Sequence, residues 1–164
     1  MKKILFSWLI SHLLLVADEN YFIEAGKHYD VNPALLYAVA KTESSLNPKA
    51  VNCANKNQSC DYGIMQINSI HLPMLSKYNI QKEDLFDPRV NIFVGAWYLK
   101  GCINKHGENY KALNCYNGRI KENSYYTKVI GNYHKSLRQQ EIMIEEPTQE
   151  ITQNVEIVSE AIDI

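Results

Sequence analysis

Basic residues stop at Arg138. The 26 residues that follow, 139–164, hold no Lys, Arg or aromatic side chain, while Glu141, Glu145, Glu146, Glu150, Glu156, Glu160 and Asp163 give them a net charge of −7. Such a segment has too little apolar mass for a core of its own and reads as an acidic, flexible tail. A membrane-spanning run is also missing. Residues 4–16 form an apolar stretch of thirteen, broken by Ser7, Ser11 and His12, against the ~20 that a spanning helix needs. Lys2 and Lys3 precede it, and Ala17 ends it before Asp18-Glu19-Asn20. Residues 1–17 therefore read as an export signal, leaving no stable membrane span once cleaved. There is no C-x-x-C pair and no cluster of histidines, which removes the usual zinc spacings. No metal or organic cofactor is expected. Basic runs interleaved with aromatics are absent, so nucleic acid is not an expected partner.

What remains is one domain, residues 18–138, with 15 basic against 11 acidic residues and a net charge of +4. A mildly basic body suits an anionic polymer without proving one. Cys53, Cys60, Cys102 and Cys115 fit export, because thiols in an oxidising compartment pair. Four cysteines allow three connectivities, and sequence does not choose among them. Nearest-neighbour pairing, which would staple two local loops, is the expectation.

Helical periodicity dominates the body. Phe22, Ala25 and Tyr29 recur at helical spacing, which predicts a helix over residues 19–29. Asn32 as N-cap and Pro33 as first residue open a second helix, which Asn47-Pro48 stops. Ser69 can cap a short helix carrying Leu72 and Leu75. Asp87-Pro88 opens the longest helix, where Val90, Val94, Trp97 and Gly101 form the expected apolar stripe. Asn109 caps a short helix with Ala112, Leu113 and Tyr116. Asn123 caps the last one, with Tyr126, Val129, Tyr133 and Leu137 on its inner face. The strand candidate is residues 63–67. The body expected from these patterns is mainly α, with a single strand candidate after the second helix.

One residue breaks the pattern. Leu36, Val39, Ala40 and Glu43 lie at i, i+3, i+4 and i+7, so a carboxyl group ends a core-facing stripe. Desolvation there favours the neutral form and raises the pKa. An acid that keeps its proton near neutral pH is what glycosidic bond cleavage requires. The plain alternative is an acid that snorkels outward from a helix end.

Three motifs decide between these. E-S-S-L-N-P-K-A from Glu43, Y-G-I-M-Q-I-N ending at Asn68, and C-Y-N-G from Cys115 resemble, in order, the signatures of the lytic transglycosylase domain of the soluble (SLT) type. The similarity is greatest to small exported members that accompany type III secretion, conjugation and pilus systems. The resemblance implies a mainly α (α+β lysozyme-like) fold, a helical bundle around a cleft with a small β-hairpin after the second helix, and a peptidoglycan lytic transglycosylase cleaving the β-1,4 bond between N-acetylmuramic acid and N-acetylglucosamine. Glu43 would be the acid/base. Ser44 would position the acid or the sugar, and Met65, Gln66 and Asn68 would line the sugar site. Tyr116 would bring its hydroxyl near the acid, with Asn117 beside it on the substrate. The location implied is the periplasm or cell wall, and the partners are glycan strands and, through the acidic tail, secretion or conjugation machinery.

The chain departs from the family at several points. Residues 51–63 are longer and carry Cys53 and Cys60, Asn52 stands where a serine is common, Cys115 replaces an alanine, and Gly118-Arg119 replaces Ala-Gly. C-D-Y-G-I-M-Q-I-N-S also resembles the animal (c-type) lysozyme hairpin, in which the aspartate is a second catalytic carboxylate. On that resemblance Asp61 joins Glu43 as catalytic and the reaction is hydrolysis; otherwise Asp61 is a turn residue bonding its own backbone. A third reading, from another class, is a non-catalytic wall-binding assembly factor of a secretion system.

Overall fold

The computed structural model describes residues 21–121 and 124–139. The signal at 1–17 and the tail beyond 139 lie outside them, as does the expected cap at Asn123. Helix α1 occupies residues 21–29 and is followed by Asp30 with φ 52°. Helix α2, Pro33–Ser44, starts as the sequence predicts: the Asn32 side chain accepts from the Ala34 N–H, and proline takes the first turn. It ends at Ser45, in the left-handed conformation. A three-stranded antiparallel sheet follows, made of β1 (Val51–Asn52), β2 (Asp61–Tyr62) and β3 (Ile67–Asn68) in that order. Its register sets Asn52, Asp61 and Asn68 opposite one another.

Asn68, rather than Ser69, caps the next turn: its side chain accepts from the Ile70 N–H, opening a 3-10 turn at Ser69–His71 before α3, Leu72–Leu75. Helix α4, Pro88–His106, has Asp87 as its N-cap, accepting from the Val90 N–H. Helix α5, Tyr110–Tyr116, is capped by Asn109 as expected. Helix α6 covers residues 124–139. Both disulfides join nearest neighbours, Cys53–Cys60 across the β1–β2 loop and Cys102–Cys115 between α4 and α5.

Three expectations fail in their detail. Residues 63–66 are not a strand but the turn between β2 and β3, with Ile64 and Met65 fully buried. A continuous apolar run fits a buried turn as well as a strand, and periodicity alone cannot separate them. On α4 the expected Val94 is buried and Val90 packs against the core, but the buried face continues through Asn91, Ile92, Gly95, Ala96, Leu99 and Cys102, whereas Trp97 is 40% exposed and Gly101 is exposed. Small and polar residues occupy that face because the turn presses on it: a Cβ at Gly95 would meet Met65 Sδ. On α6 the buried positions are Tyr125, Val129 and Ser136, and Tyr126 is 37% exposed.

Asn91 holds the turn to α4. Fully buried, it accepts from the Met65 N–H at 2.7 Å and donates to the Tyr62 and Leu85 carbonyls at 2.9 and 2.8 Å. Gly63 is required at the same point, with φ 76° and no room for a Cβ against Leu85 O and the Asn91 amide. Replacing Asn91 by Ala strands two buried backbone groups, the Met65 N–H and the Leu85 carbonyl, and the part-buried Tyr62 carbonyl. Each unsatisfied group costs about 1–3 kcal/mol, so we expect Asn91→Ala to lower unfolding free energy by at least about 3 kcal/mol in denaturant titration. A loss under about 1 kcal/mol would mean that the turn is held by something else.

Candidate active site

Helix α2 buries Leu36, Val39 and Ala40 and so carries Glu43, one turn further on, to the edge of the core. The chain then reverses sharply, with Ser45 and Leu46 both at positive φ. Ser44 fixes the helix end to the buried turn: its hydroxyl donates to the Ile64 carbonyl at 2.7 Å and accepts from the Asn47 N–H at 3.0 Å.

Glu43 Oε1 accepts a hydrogen bond from the Tyr125 hydroxyl at 2.6 Å. Burial raises the Glu43 pKa from 4.5 to about 7; the Tyr125 bond opposes the rise, and the negative charge of Asp61 adds to it. The carboxyl group is thus half protonated near neutrality, as an acid catalyst needs. Tyr125 was not among the residues singled out by motif. Its neighbour Tyr126 belongs to the more apolar of two overlapping stripes on α6, and Tyr125 shares its own stripe with the polar Ser136. The Tyr125-Tyr126 doublet was the available signal.

Asp61 faces the same region from the sheet. Its Oδ2 accepts from the Asn52 and Asn55 amides at 3.2 and 2.9 Å, and its Oδ1 from the Asn68 amide at 2.6 Å. Asn52 and Asn68 reach it because strand register places them opposite it, and Asn55 because Cys53–Cys60 closes its loop. Asp61 is therefore more than a turn residue bonding its own backbone. Its charge is felt at Glu43.

The other predicted residues divide into two groups. Met65 is fully buried against Gly95, so its side chain faces the core and not the cleft. Tyr116 is buried too, and its hydroxyl donates to the Met65 carbonyl at 2.8 Å rather than to the acid. Burial and then the charge of Glu43 push the Tyr116 pKa well up, which places it close to the acid without bonding it. Gln66, at φ 51°, uses its amide N–H groups on the Gly63 and Ala50 carbonyls, which leaves its amide oxygen for a ligand. Asn117, just after α5, is exposed. It lines a cleft of about 250 Å³ with Thr42, Glu43, Arg119, Ser124, Tyr125 and Lys128. Among the described residues no group of three His, Cys, Asp or Glu side chains is placed to hold a metal.

The two neighbours of Glu43 act on it with opposite sign. A hydrogen bond to the carboxylate favours ionisation, so Tyr125→Phe should raise the Glu43 pKa above about 7. Removing a like charge eases ionisation, so Asp61→Asn should lower it. Carboxyl ¹³C NMR titration reads both. Shifts of the same sign in the two variants would contradict this arrangement.

The model of the transglycosylase SLT domain matches residues 20–138. The invasion protein IagB of Salmonella typhimurium is 34% identical over 135 residues, covering 78% of this chain and 82% of that protein. Protein IpgF of Shigella flexneri is 35% identical over 121 residues, 70% of this chain and 78% of the relative. The fold is also that of the lytic transglycosylase Slt from Pseudomonas aeruginosa, with a TM-score of 0.60 at 20% identity over 73% of this chain. The 70 kDa soluble lytic transglycosylase of Escherichia coli gives 0.52 at 23% identity over 69%. This chain spans only 24% and 19% of those two larger proteins. From its matched span and its relatives, the chain belongs to the transglycosylase SLT domain family and is a lytic transglycosylase.

Proposed function

We propose that the protein cleaves the β-1,4 bond between N-acetylmuramic acid and N-acetylglucosamine in peptidoglycan, with Glu43 as general acid and then general base. The observation that carries this is a carboxyl group raised to about 7 on a cleft wall, with Tyr125 bonded to one of its oxygens. Because Oε1 accepts from Tyr125, the proton resides on Oε2, the oxygen left for the substrate. Glu43 gives that proton to the glycosidic oxygen as the bond to the muramic acid C1 breaks. The resulting carboxylate removes the proton from the C6 hydroxyl as that oxygen closes on C1, leaving a 1,6-anhydro end. Ser44, Gln66, Asn68 and Asn117 are the supporting residues: Ser44 and Asn68 hold the acid and Asp61 in place, and Gln66 and Asn117 offer amides to the sugar. A desolvated acid of this kind has no use in a wall-binding assembly factor, which weakens that reading.

Asp61 supports the transition state by charge. Both its oxygens already accept amide hydrogen bonds, which makes it a poor nucleophile but a fixed negative group opposite the developing oxocarbenium ion. Its influence on Glu43 also keeps a second reading open, hydrolysis by Glu43 and Asp61, in which water replaces the C6 hydroxyl. Mass spectrometry of digested glycan strands separates the two. We expect anhydro termini from the native protein and a loss of at least about 10³-fold in rate with Glu43→Gln, the scale of a missing acid catalyst. Hydrated reducing termini would turn the assignment to a hydrolase, and an active Glu43→Gln would remove it.

Export by residues 1–17 would deliver the protein to the periplasm or cell wall, where it would open the wall locally for a secretion or conjugation apparatus. Similarity to the invasion protein IagB supports that setting. No helix among the described residues is long and apolar enough to cross a membrane. The seven acids and absent bases of residues 139–164 make the tail the expected contact for basic machinery components. Affinity capture with the full chain and with residues 139–164 removed should recover fewer partners in the second case. Equal recovery would rule the tail out.

A further inference from the structure

Helix α4 carries a glycine that its packing does not require. Gly101 lies in the interior of Pro88–His106, and a Cβ built on it would meet nothing within 4 Å. Glycine is disfavoured against alanine in a helix interior, and here alanine would fit. The missing side chain leaves the helix backbone open to a close approach from outside the chain. Trp97 and Tyr98 stand at i−4 and i−3 from Gly101, so their rings border that bare backbone. Trp97 is 40% exposed and Tyr98 half-buried, with ring centres 6.3 Å apart. Among the described residues neither the Trp97 indole N–H nor the Tyr98 hydroxyl has a hydrogen-bond partner. A notch with a backbone floor, two aromatic walls and unpaired polar groups fits a sugar ring, which offers C–H faces to the rings and hydroxyls to the donors.

A single exposed tryptophan is ordinary on a protein surface. This one continues into the site of Glu43. The Tyr98 ring lies 5.4 Å from that of Tyr116, which is buried close enough to Glu43 to feel its charge. Tyr98 also meets the His71 ring at 4.7 Å. His71 ends the turn that Asn68 opens, and Asn68 holds Asp61. The cleft along α6 is lined by other residues, so the notch extends the site along α4 instead.

We propose that the notch over Gly101, walled by Trp97 and Tyr98 and edged by His71, is a distal subsite that stacks one sugar ring of the glycan strand beyond the pair at the scissile bond, so that the protein favours long strands over short fragments. This rests on the peptidoglycan reading above. Flat ring walls suit the sugar itself rather than the peptide that it carries. A ring held there fixes the register of the strand, so that the bond to be cut stays at Oε2 of Glu43.

Tryptophan fluorescence reads the subsite directly, because Trp8 and Trp97 are the only tryptophans in the chain. Glycan strands stripped of peptide by an amidase are titrated into the full chain carrying Glu43→Gln, so that they bind without being cut. The Trp97 emission, taken as the difference from the same protein with Trp97→Phe added, should shift to the blue and saturate with strand concentration. Gly101→Leu fills the notch with a good helix former. It should keep or raise the thermal midpoint and yet weaken binding of long strands about fivefold, on the scale of one aromatic contact. With Glu43 intact, the ratio of kcat/KM on long strands to that on fragments ending at the sugars beside the scissile bond should fall about fivefold in Trp97→Ala and in Gly101→Leu, chiefly through KM. Each ratio is taken within one variant, so a change in its folding cancels. Unmoved emission, or an unchanged ratio in Gly101→Leu, would overturn the subsite. So would a shift with peptide-bearing strands and none with stripped ones, which would make the peptide the occupant. Failure of the native protein to cleave any strand would instead overturn the peptidoglycan reading.

Discussion

A buried turn must have its backbone polar groups paired, and residues 63–66 are such a turn. The Met65 N–H goes to Asn91, the Ile64 carbonyl to Ser44, the Met65 carbonyl to Tyr116, and the Gly63 carbonyl to the Gln66 amide. Gln66 belongs to the turn itself, and the other three partners come from α4, α2 and α5, so one turn joins three helices. The chemistry-bearing residues are the sequence neighbours of these anchors. Glu43 precedes Ser44, Asn117 follows Tyr116, and Asp61 lies two residues before Gly63. The three motifs are thus one hydrogen-bonded unit, in which Ser44, Gln66 and Tyr116 hold the backbone of the turn.

This division explains what was legible beforehand. Caps and breakers located α2 and α5, because Asn32-Pro33 and Asn109 act through their immediate neighbours. The placement of Glu43 followed from helical period alone. Met65 and Tyr116 were assigned to the substrate because a motif says that a residue matters without saying to what; their burial makes them structural. Tyr125 was hidden by an ambiguity of about one residue on α6, where Tyr126 fits an apolar stripe better than Tyr125 does. Polar positions can be core positions when a partner element supplies hydrogen bonds, as Asn91 shows on α4, and sequence periodicity counts such residues as outward.

The sheet is too small to stand alone, with two residues in each strand. It is held by Cys53–Cys60 and by side-chain bonds converging on Asp61. The insertion that lengthens residues 51–63 therefore adds a device that fixes a negative charge. Without the loop closure Asn55 would be free to leave, and the field that Asp61 exerts on Glu43 would weaken. A second carboxylate arises here from sheet register, which aligns Asn52, Asp61 and Asn68.

Glu43 is bought at the expense of stability. Its folded pKa of about 7 lies above the ordinary 4.5, so between those pH values the unfolded chain releases a proton that the folded chain keeps. Stability from this group is therefore undiminished below about pH 4.5, falls as pH rises toward 7, and is lower by on the order of 3 kcal/mol above it. The Tyr125 hydrogen bond limits the loss and Asp61 enlarges it. A second disulfide, Cys102–Cys115, ties α4 to α5 under the Tyr116 anchor, and closing a loop of that size contributes roughly 3 kcal/mol in the chain-entropy account. The protein thus supports an acid that its own core disfavours, and it does so with two cross-links of the kind that persist in oxidising surroundings.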